Sequence, residues 1–168
     1  MSVVACKIYK DRYEIASDSI AVWGWSQTKG KEIDLVKLIE DNGLIIGYSG
    51  PSSEMEMMRI FVKSHKPSEE NPEAILDFMD EFVNWMKKKT DNDHSSIKGA
   101  FIIGMSAKVF QFNCWNVGRV LTYSAIGAGM DYANTALYLG HDVEKAVEVA
   151  TELSIYCEKP IIKKVKKF

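Results

Sequence analysis

Residues 2–19 read S-V-V-A-C-K-I-Y-K-D-R-Y-E-I-A-S-D-S, and their reading decides the fold. Val3 to Tyr9 is an apolar, β-branched run. Lys10-Asp11 supplies a turn, and Tyr13 to Ser17 gives a second strand, so the segment predicts a tight hairpin. A second hairpin is predicted from Leu35–Ile39 and Leu44–Tyr48 around Glu40-Asp41-Asn42-Gly43. Its Asn-Gly pair is the strongest short-range turn signal in the chain, because both residues tolerate positive φ. Between the hairpins, roughly Trp23 to Lys31 reads as a polar loop carrying Gly24 and Gly30.

Working outward, two helices follow. Pro51-Ser52-Ser53-Glu54 has the Ser/Glu character of a helix start, and Met55, Met58 and Val62 recur at helical spacing. After Pro67 and Pro72, a second helix sets Ile75, Phe78, Met79, Phe82 and Met86 on one stripe, read as core. The polar run Thr90 to Ser96 reads as a loop. Strands are predicted over Gly99–Met105, Val109–Trp115 and Arg119–Tyr123. Two more helical stripes follow, Tyr132 to Leu137 and Val143 to Leu153, the latter after Asp142 as N-cap. Pro160 is read as the stop of that helix and Ile161–Val165 as a last strand. Strands and helices that come in blocks point to an α+β fold, two antiparallel sheets between two helical layers. A Rossmann-type parallel sheet does not fit this order, and GxGxxG and GxxxxGK[ST] are both missing, so ATP chemistry in the chain itself is not expected.

The 168 residues, 46% apolar and 26% charged, are enough for one domain, 1–168, with a real core. Lys plus Arg number 21 against 23 Asp plus Glu, too balanced for a general nucleic-acid binder. No apolar run approaches the roughly 18 residues of a membrane span, and residues 1–19 lack a signal-peptide core. A cytoplasmic chain that engages neither membrane nor nucleic acid is expected. Cys6, Cys114 and Cys157 are sparse and unpaired in spacing, and His65, His94 and His141 are scattered. They suggest a reducing compartment, and neither a metal site nor a cofactor is expected. The five lysines between Glu158 and Phe168 are read as an edge strand kept soluble rather than as a nucleic-acid surface.

Four stretches together resemble the proteasome β-subunit family, and most of all its bacterial HslV-type peptidases. S-V-V-A-C-K-I-Y-K-D with I-A-S-D-S at 15–19 is similar to the family's nucleophile strand and its I/L-A-x-D motif. L-I-I-G-Y-S-G at 44–50 is similar to I-A-G-x-x-G, and G-A-F-I-I-G at 99–104 to the central strand. A-I-G-A-G-M-D-Y-A at 125–133 with E-K-A-V-E-V-A at 144–150 is similar to A-I-G-S-G-x-x-Y-A and its following helix. The resemblance spans nearly the whole chain in order. It implies the four-layer αββα fold of the N-terminal nucleophile hydrolases.

What the resemblance implies for chemistry is specific. The nucleophile is the hydroxyl of the first residue, and the α-amine of that residue is the base, with an ordinary pKa near 8 that suits neutral pH. Removal of Met1 makes that residue Ser2. Asp18 falls at the family's buried aspartate and Gly47 at its oxyanion N–H donor, although Gly47 reads equally as a close-packing glycine. The family lysine matches Lys37 when the chain is aligned on the strand before the second hairpin, with Lys31 and Lys29 as alternatives. The loop 22–33, with Trp23 and Trp25, is placed as a pocket wall.

Three departures stand in the sequence: serine replaces threonine as nucleophile, Ala128 occupies the G-S-G serine position, and S-I-Y-C-E-K-P at 154–160 lacks the family's aspartate and serine. The expected function is a proteasome/HslV-like peptidase acting on peptide or unfolded protein, assembled as a homo-oligomeric ring with a separate ATP-dependent unfoldase. An inactive scaffold subunit and a small-molecule amidase of the same fold are the alternatives.

Overall fold

A computed structural model describes residues 1–23, 26–29, 36–90 and 97–168, the side chains of Trp23 and Lys29 excepted. Strands β1 (Val3–Ile8), β2 (Arg12–Ser17), β10 (Tyr123–Gly127) and β11 (Ile162–Lys167) form one antiparallel sheet in the order β10-β1-β2-β11. Strands β5 (Leu38–Asp41), β6 (Leu44–Ser49), β7 (Ala100–Met105), β8 (Lys108–Asn113) and β9 (Asn116–Val120) form a second sheet in sequence order, also antiparallel. Helices α1 (Ser52–Phe61) and α2 (Pro72–Thr90) cover the second sheet, and α3 (Met130–Tyr138) and α4 (Val143–Leu153) cover the first.

The side-chain period of two along β1 shows how the layers arise. Val3 and Ala5 pack under α3 and α4, whereas Val4 and Cys6 face the other sheet. On β2, Ala16 faces the helices while Tyr13 and Ile15 face the sheet. The two helical layers are filled differently. Beneath α3 and α4 the contacts are mostly alanines, among them Ala5, Ala16, Ala133, Ala146 and Ala150, which let helix and sheet approach closely. Beneath α1 and α2 lie Phe61, Phe78, Phe82, Phe101 and Phe112, whose rings make tilted and edge contacts, together with Phe110. The expected four-layer α+β arrangement is the one observed.

Several local expectations are corrected. Residues Ser26–Lys29 are not loop; they form β4 against β3 (Ile20–Trp23), so the predicted Trp23–Lys31 loop contains a strand. The alternating polar side chains of S-Q-T-K concealed it. The first strand of the second hairpin begins at Leu38, with Val36 and Lys37 outside it and Leu35 beyond the described residues, and its turn is the two residues Asn42 (φ 50°) and Gly43 (φ 81°), because Glu40 and Asp41 belong to the strand. Arg119–Tyr123 is not one strand: β9 ends at Val120 and β10 begins at Tyr123 in the other sheet. Pro160 does not stop α4, which already ends at Leu153. Asp142 does cap α4, accepting the Lys145 N–H at 2.8 Å. Asn71 caps α2 through the Ala74 N–H at 2.9 Å, with Pro72 as first helical residue. β11 is the edge strand that its lysines predicted. Residues 91–96 of the predicted polar loop, and Trp25 and Lys31, lie outside the described residues.

Candidate active site

The N-terminal strand is set by its pairing. Val3 stands opposite Gly127, and Val4 opposite Ser17, so β1 threads between β10 and β2 with Ser2 at its leading end. The Ser2 carbonyl accepts the Gly129 N–H at 3.2 Å. Gly127 has φ of 94°, and a Cβ there would collide with the Ser2 carbonyl and lie 2.6 Å from Ser49 Oγ; only glycine fits. Ser2 itself is buried, and with Met1 in place its hydroxyl donates to the Met1 carbonyl at 2.6 Å.

Asp18 follows the last residue of β2. Its N–H donates to the Val3 carbonyl at 3.3 Å, and its Oδ1 accepts the Val3 N–H at 3.0 Å, so the side chain extends the ladder beyond the strand. Oδ1 also accepts from Lys37 Nζ at 2.8 Å, and Oδ2 accepts the N–H groups of Ile20 and Glu158, each at 3.4 Å. Lys37 stands just before β5, held there by the Tyr48 N–H, which donates to its carbonyl at 3.1 Å. Both charges are buried. Burial pushes the Lys37 ammonium below its ordinary pKa and the Asp18 carboxyl above its own, and the ion pair between them opposes both shifts.

Ser2, Asp18 and Lys37, three of the four residues expected from sequence, therefore meet at one place. A cavity of about 320 Å³ opens there, lined by Met1, Ser2, Ala21, Val36, Lys37 and Met55, among others. The fourth residue, Gly47, lies on β6 opposite Leu38 and Ile102, on the face that meets the other sheet. A Cβ on Gly47 would overlap Val4 Cγ1 and sit 3.1 Å from Leu38 Cδ2, so the close-packing reading of Gly47 has a direct geometric basis. Lys31, Trp25 and the side chains of Lys29 and Trp23 are outside the described residues; of the loop 22–33 placed as a pocket wall, Val22 lines the cavity, next to Ala21, which precedes that loop. Ala128 is exposed. Among the described residues no group of three His, Cys, Asp or Glu could hold a metal ion.

Two contributions were missed in the sequence. The S-I-Y-C-E-K-P segment, which lacks the side chains the resemblance called for, supplies backbone instead. Glu158 N–H donates to Asp18, the Glu158 carbonyl accepts the Ser19 N–H at 3.0 Å, and the Pro160 carbonyl accepts Ser19 Oγ at 2.5 Å. The Cys157 thiol packs against Gly129; burial, with Asp18 acting in the same direction, pushes it up to about 11. Backbone groups carry no signature in a sequence, so no motif could have announced this clamp. Glu54 is the second. Predicted as part of a helix start, it makes no cap; buried, it accepts from Tyr48 Oη at 2.9 Å and from the N–H groups of Lys98 and Gly99, each at 3.0 Å. It ties the start of α1, beside the cavity, to the segment that leads into β7. A buried glutamate on an otherwise apolar helix face was the available signal.

No protein-family model and no curated protein sequence matches the chain. Solved structures do. Thiobacillus denitrificans BPH in complex with epoxomicin superimposes with a TM-score of 0.88 at 17% identity, covering 98% of each chain. Eukaryotic HslV from Trypanosoma brucei gives 0.75 at 17% identity over 99% of each chain. Anbu, the ancestral β-subunit, from Yersinia bercovieri gives 0.74 at 10% identity over 98% of this chain and 81% of its own. These are HslV-like peptidases and Anbu, all proteasome-type N-terminal nucleophile hydrolases, and the chain has their fold.

Proposed function

We propose that the chain is a proteasome/HslV-like peptidase of serine type, whose nucleophile is Ser2 once Met1 has been removed. The observation that carries this reading is that Ser2 and Lys37 line one cavity, with Lys37 held by the buried Asp18 at 2.8 Å between charged atoms. An ion pair at the surface would need no explanation; one removed from water at the start of the first strand is costly unless its field is used.

The chemistry follows from those positions. Ser2 Oγ attacks the peptide carbonyl while its proton passes through a water to the Ser2 α-amine, the only base of suitable pKa that Met1 removal creates. Lys37, pushed toward a lower pKa by burial, keeps a cation beside the developing alkoxide, and Asp18 holds that cation in place. The oxyanion of the tetrahedral intermediate needs an N–H donor in the cavity; Gly47, the donor the resemblance implies, is not among the residues that line it, and its N–H faces Ile102 in the β6–β7 ladder. Collapse expels the amine product with the proton held by the α-amine, and a second water hydrolyses the Ser2 ester. With Met1 attached, the Ser2 nitrogen is an amide and this cycle has no base.

A homo-oligomeric ring working with a separate ATP-dependent unfoldase in the cytoplasm is part of the proposal. Large apolar side chains stand exposed on and beside α3 and α4, including Tyr138, Leu139, Leu153 and Ile155, as an assembly surface requires. No helix among the described residues is long and apolar enough to cross a membrane.

The test is intact mass of untagged protein from a bacterial host, with and without a peptide epoxyketone, the inhibitor class named with the BPH structure. Loss of one methionine and an adduct mapped to Ser2 support the reading. Retained methionine with no adduct overturns it in favour of an inactive scaffold subunit. An adduct without hydrolysis of any unfolded protein favours a small-molecule amidase.

A further inference from the structure

We infer that Glu56 selects the residue whose carbonyl Ser2 attacks, favouring lysine or arginine there; the inference rests on the peptidase reading above and names a substrate class for the same site. Ser2, Lys37 and Glu56 line one cavity. Ser52, Met55 and Glu56 stand at positions i, i+3 and i+4 of α1, so one face of that helix forms a wall of it. A substrate side chain next to the attacked carbonyl enters this space, because the nucleophile is part of its lining.

What the space offers that side chain is hydrocarbon and one carboxylate. Ile20, Ala21, Val22, Val36 and Met55 line it, and they suit the methylene stem of a lysine or arginine as well as they suit a leucine. Among the described residues of the lining, the charged side chains are those of Lys37 and Glu56. Lys37 Nζ lies 2.8 Å from Asp18 Oδ1, so its charge is answered within the protein. Glu56 is answered in part. Arg59, three residues on, places Nε and Nη2 each 2.9 Å from Glu56 Oε2. Both contacts fall on the same oxygen, and Oε1 is left to accept from a ligand. An ionised carboxylate has about four acceptor positions, so a second guanidinium or an ammonium can bind while Arg59 stays in place. The Glu56 side chain is 51% exposed, and a substrate lying along the cavity covers it, which lowers the local dielectric and strengthens the attraction. A glutamate at the same substrate position meets a like charge, and a leucine leaves Oε1 to water.

The experiment compares peptide epoxyketones carrying arginine, leucine or glutamate next to the reactive ketone. Each is tested at subsaturating concentration on wild-type protein and on Glu56→Gln, both with Met1 removed, and the rate of adduct formation at Ser2 is read by intact mass. On the wild type the arginine reagent is expected to react about fivefold or more faster than the leucine reagent, with the glutamate reagent slowest. In E56Q the arginine-to-leucine ratio is expected to fall by about fivefold. A wild-type ratio at or below unity overturns the inference and leaves the peptidase reading standing. A ratio that E56Q leaves in place overturns it too, including the case in which both reagents slow equally, which marks a structural loss and not a lost charge. No adduct with any of the three reagents overturns the peptidase reading itself, and the Glu56 assignment with it.

Discussion

Lys37 Nζ lies 2.8 Å from Asp18 Oδ1, and the carboxylate that receives it is wholly buried. Such a pair is destabilising to break and nearly neutral to replace as a unit, because the cost falls on whichever charge is left without a partner. Lys37→Met is expected to lower unfolding free energy by about 3–5 kcal/mol. The double variant Asp18→Asn/Lys37→Met should recover most of that loss while remaining inactive. Urea unfolding at neutral pH reads both, and a double variant no more stable than K37M would show that the two charges do not act as a pair.

Glu54 makes a second buried polar centre, distant from the nucleophile in sequence but beside its cavity. Removing the carboxylate leaves Tyr48 Oη one acceptor short and the Lys98 and Gly99 N–H groups without theirs. Glu54→Ala should cost about 3 kcal/mol or more, since hydrogen bonds to a charged acceptor contribute about 1.5–3 kcal/mol each and are not additive. Glu54→Gln, which keeps one acceptor oxygen, should cost visibly less in the same denaturation assay. Equal losses would mean that Glu54 acts only by filling space.

The contrast between these two centres shows what the sequence could disclose. The apolar run Val3–Ile8 is legible because that strand is buried on both faces by different layers, and the Asn42-Gly43 turn is legible because it demands positive φ. Ser2, Asp18 and Lys37 were found through residue spacing that resembles known motifs. Lys37 needed a choice of alignment, and its Nζ lies 2.8 Å from Asp18 Oδ1. The Glu158 N–H on Asp18 and the strand Ser26–Lys29 escaped notice for a common reason: backbone hydrogen bonds are made by groups every residue possesses. Glu54 was misread because a local capping rule was applied to a side chain two of whose three partners lie more than forty residues away.

The buried thiols predict an alkaline limit to stability. Burial pushes Cys6 up to about 12 and Cys157 up to about 11, from an ordinary value of 9.0. A group with a raised folded-state pKa keeps its proton longer in the folded protein than in the unfolded one. Its stabilising contribution is therefore full below pH 9 and declines as pH rises from 9 toward 11 and 12. The decline reaches at most about 1.4 kcal/mol per pH unit for each thiol. In Cys157→Ala the slope between pH 9 and 11 should be shallower than in the parent. Alkylation at pH 8 should modify only the exposed Cys114 in the native protein and all three cysteines in denaturant; fast native labelling of Cys157 would contradict its burial.

The close-packing reading of Gly47 is open to test by a pair of substitutions. Across the sheets its hydrogen faces Val4 Cγ1, and a methyl group there has no room. Overpacking of this kind costs about 1–3 kcal/mol, so Gly47→Ala should be destabilised by that amount. If the contact with Val4 is the cause, Gly47→Ala should be far less harmful in a Val4→Ala background, where the added methyl occupies space the valine has vacated. The two substitutions would then couple favourably by about 1 kcal/mol or more, the size seen for residues in direct contact. Recovered stability with recovered epoxyketone adduct formation means that the glycine is needed for space. Additive losses in denaturation would show that the damage at Gly47 does not run through Val4.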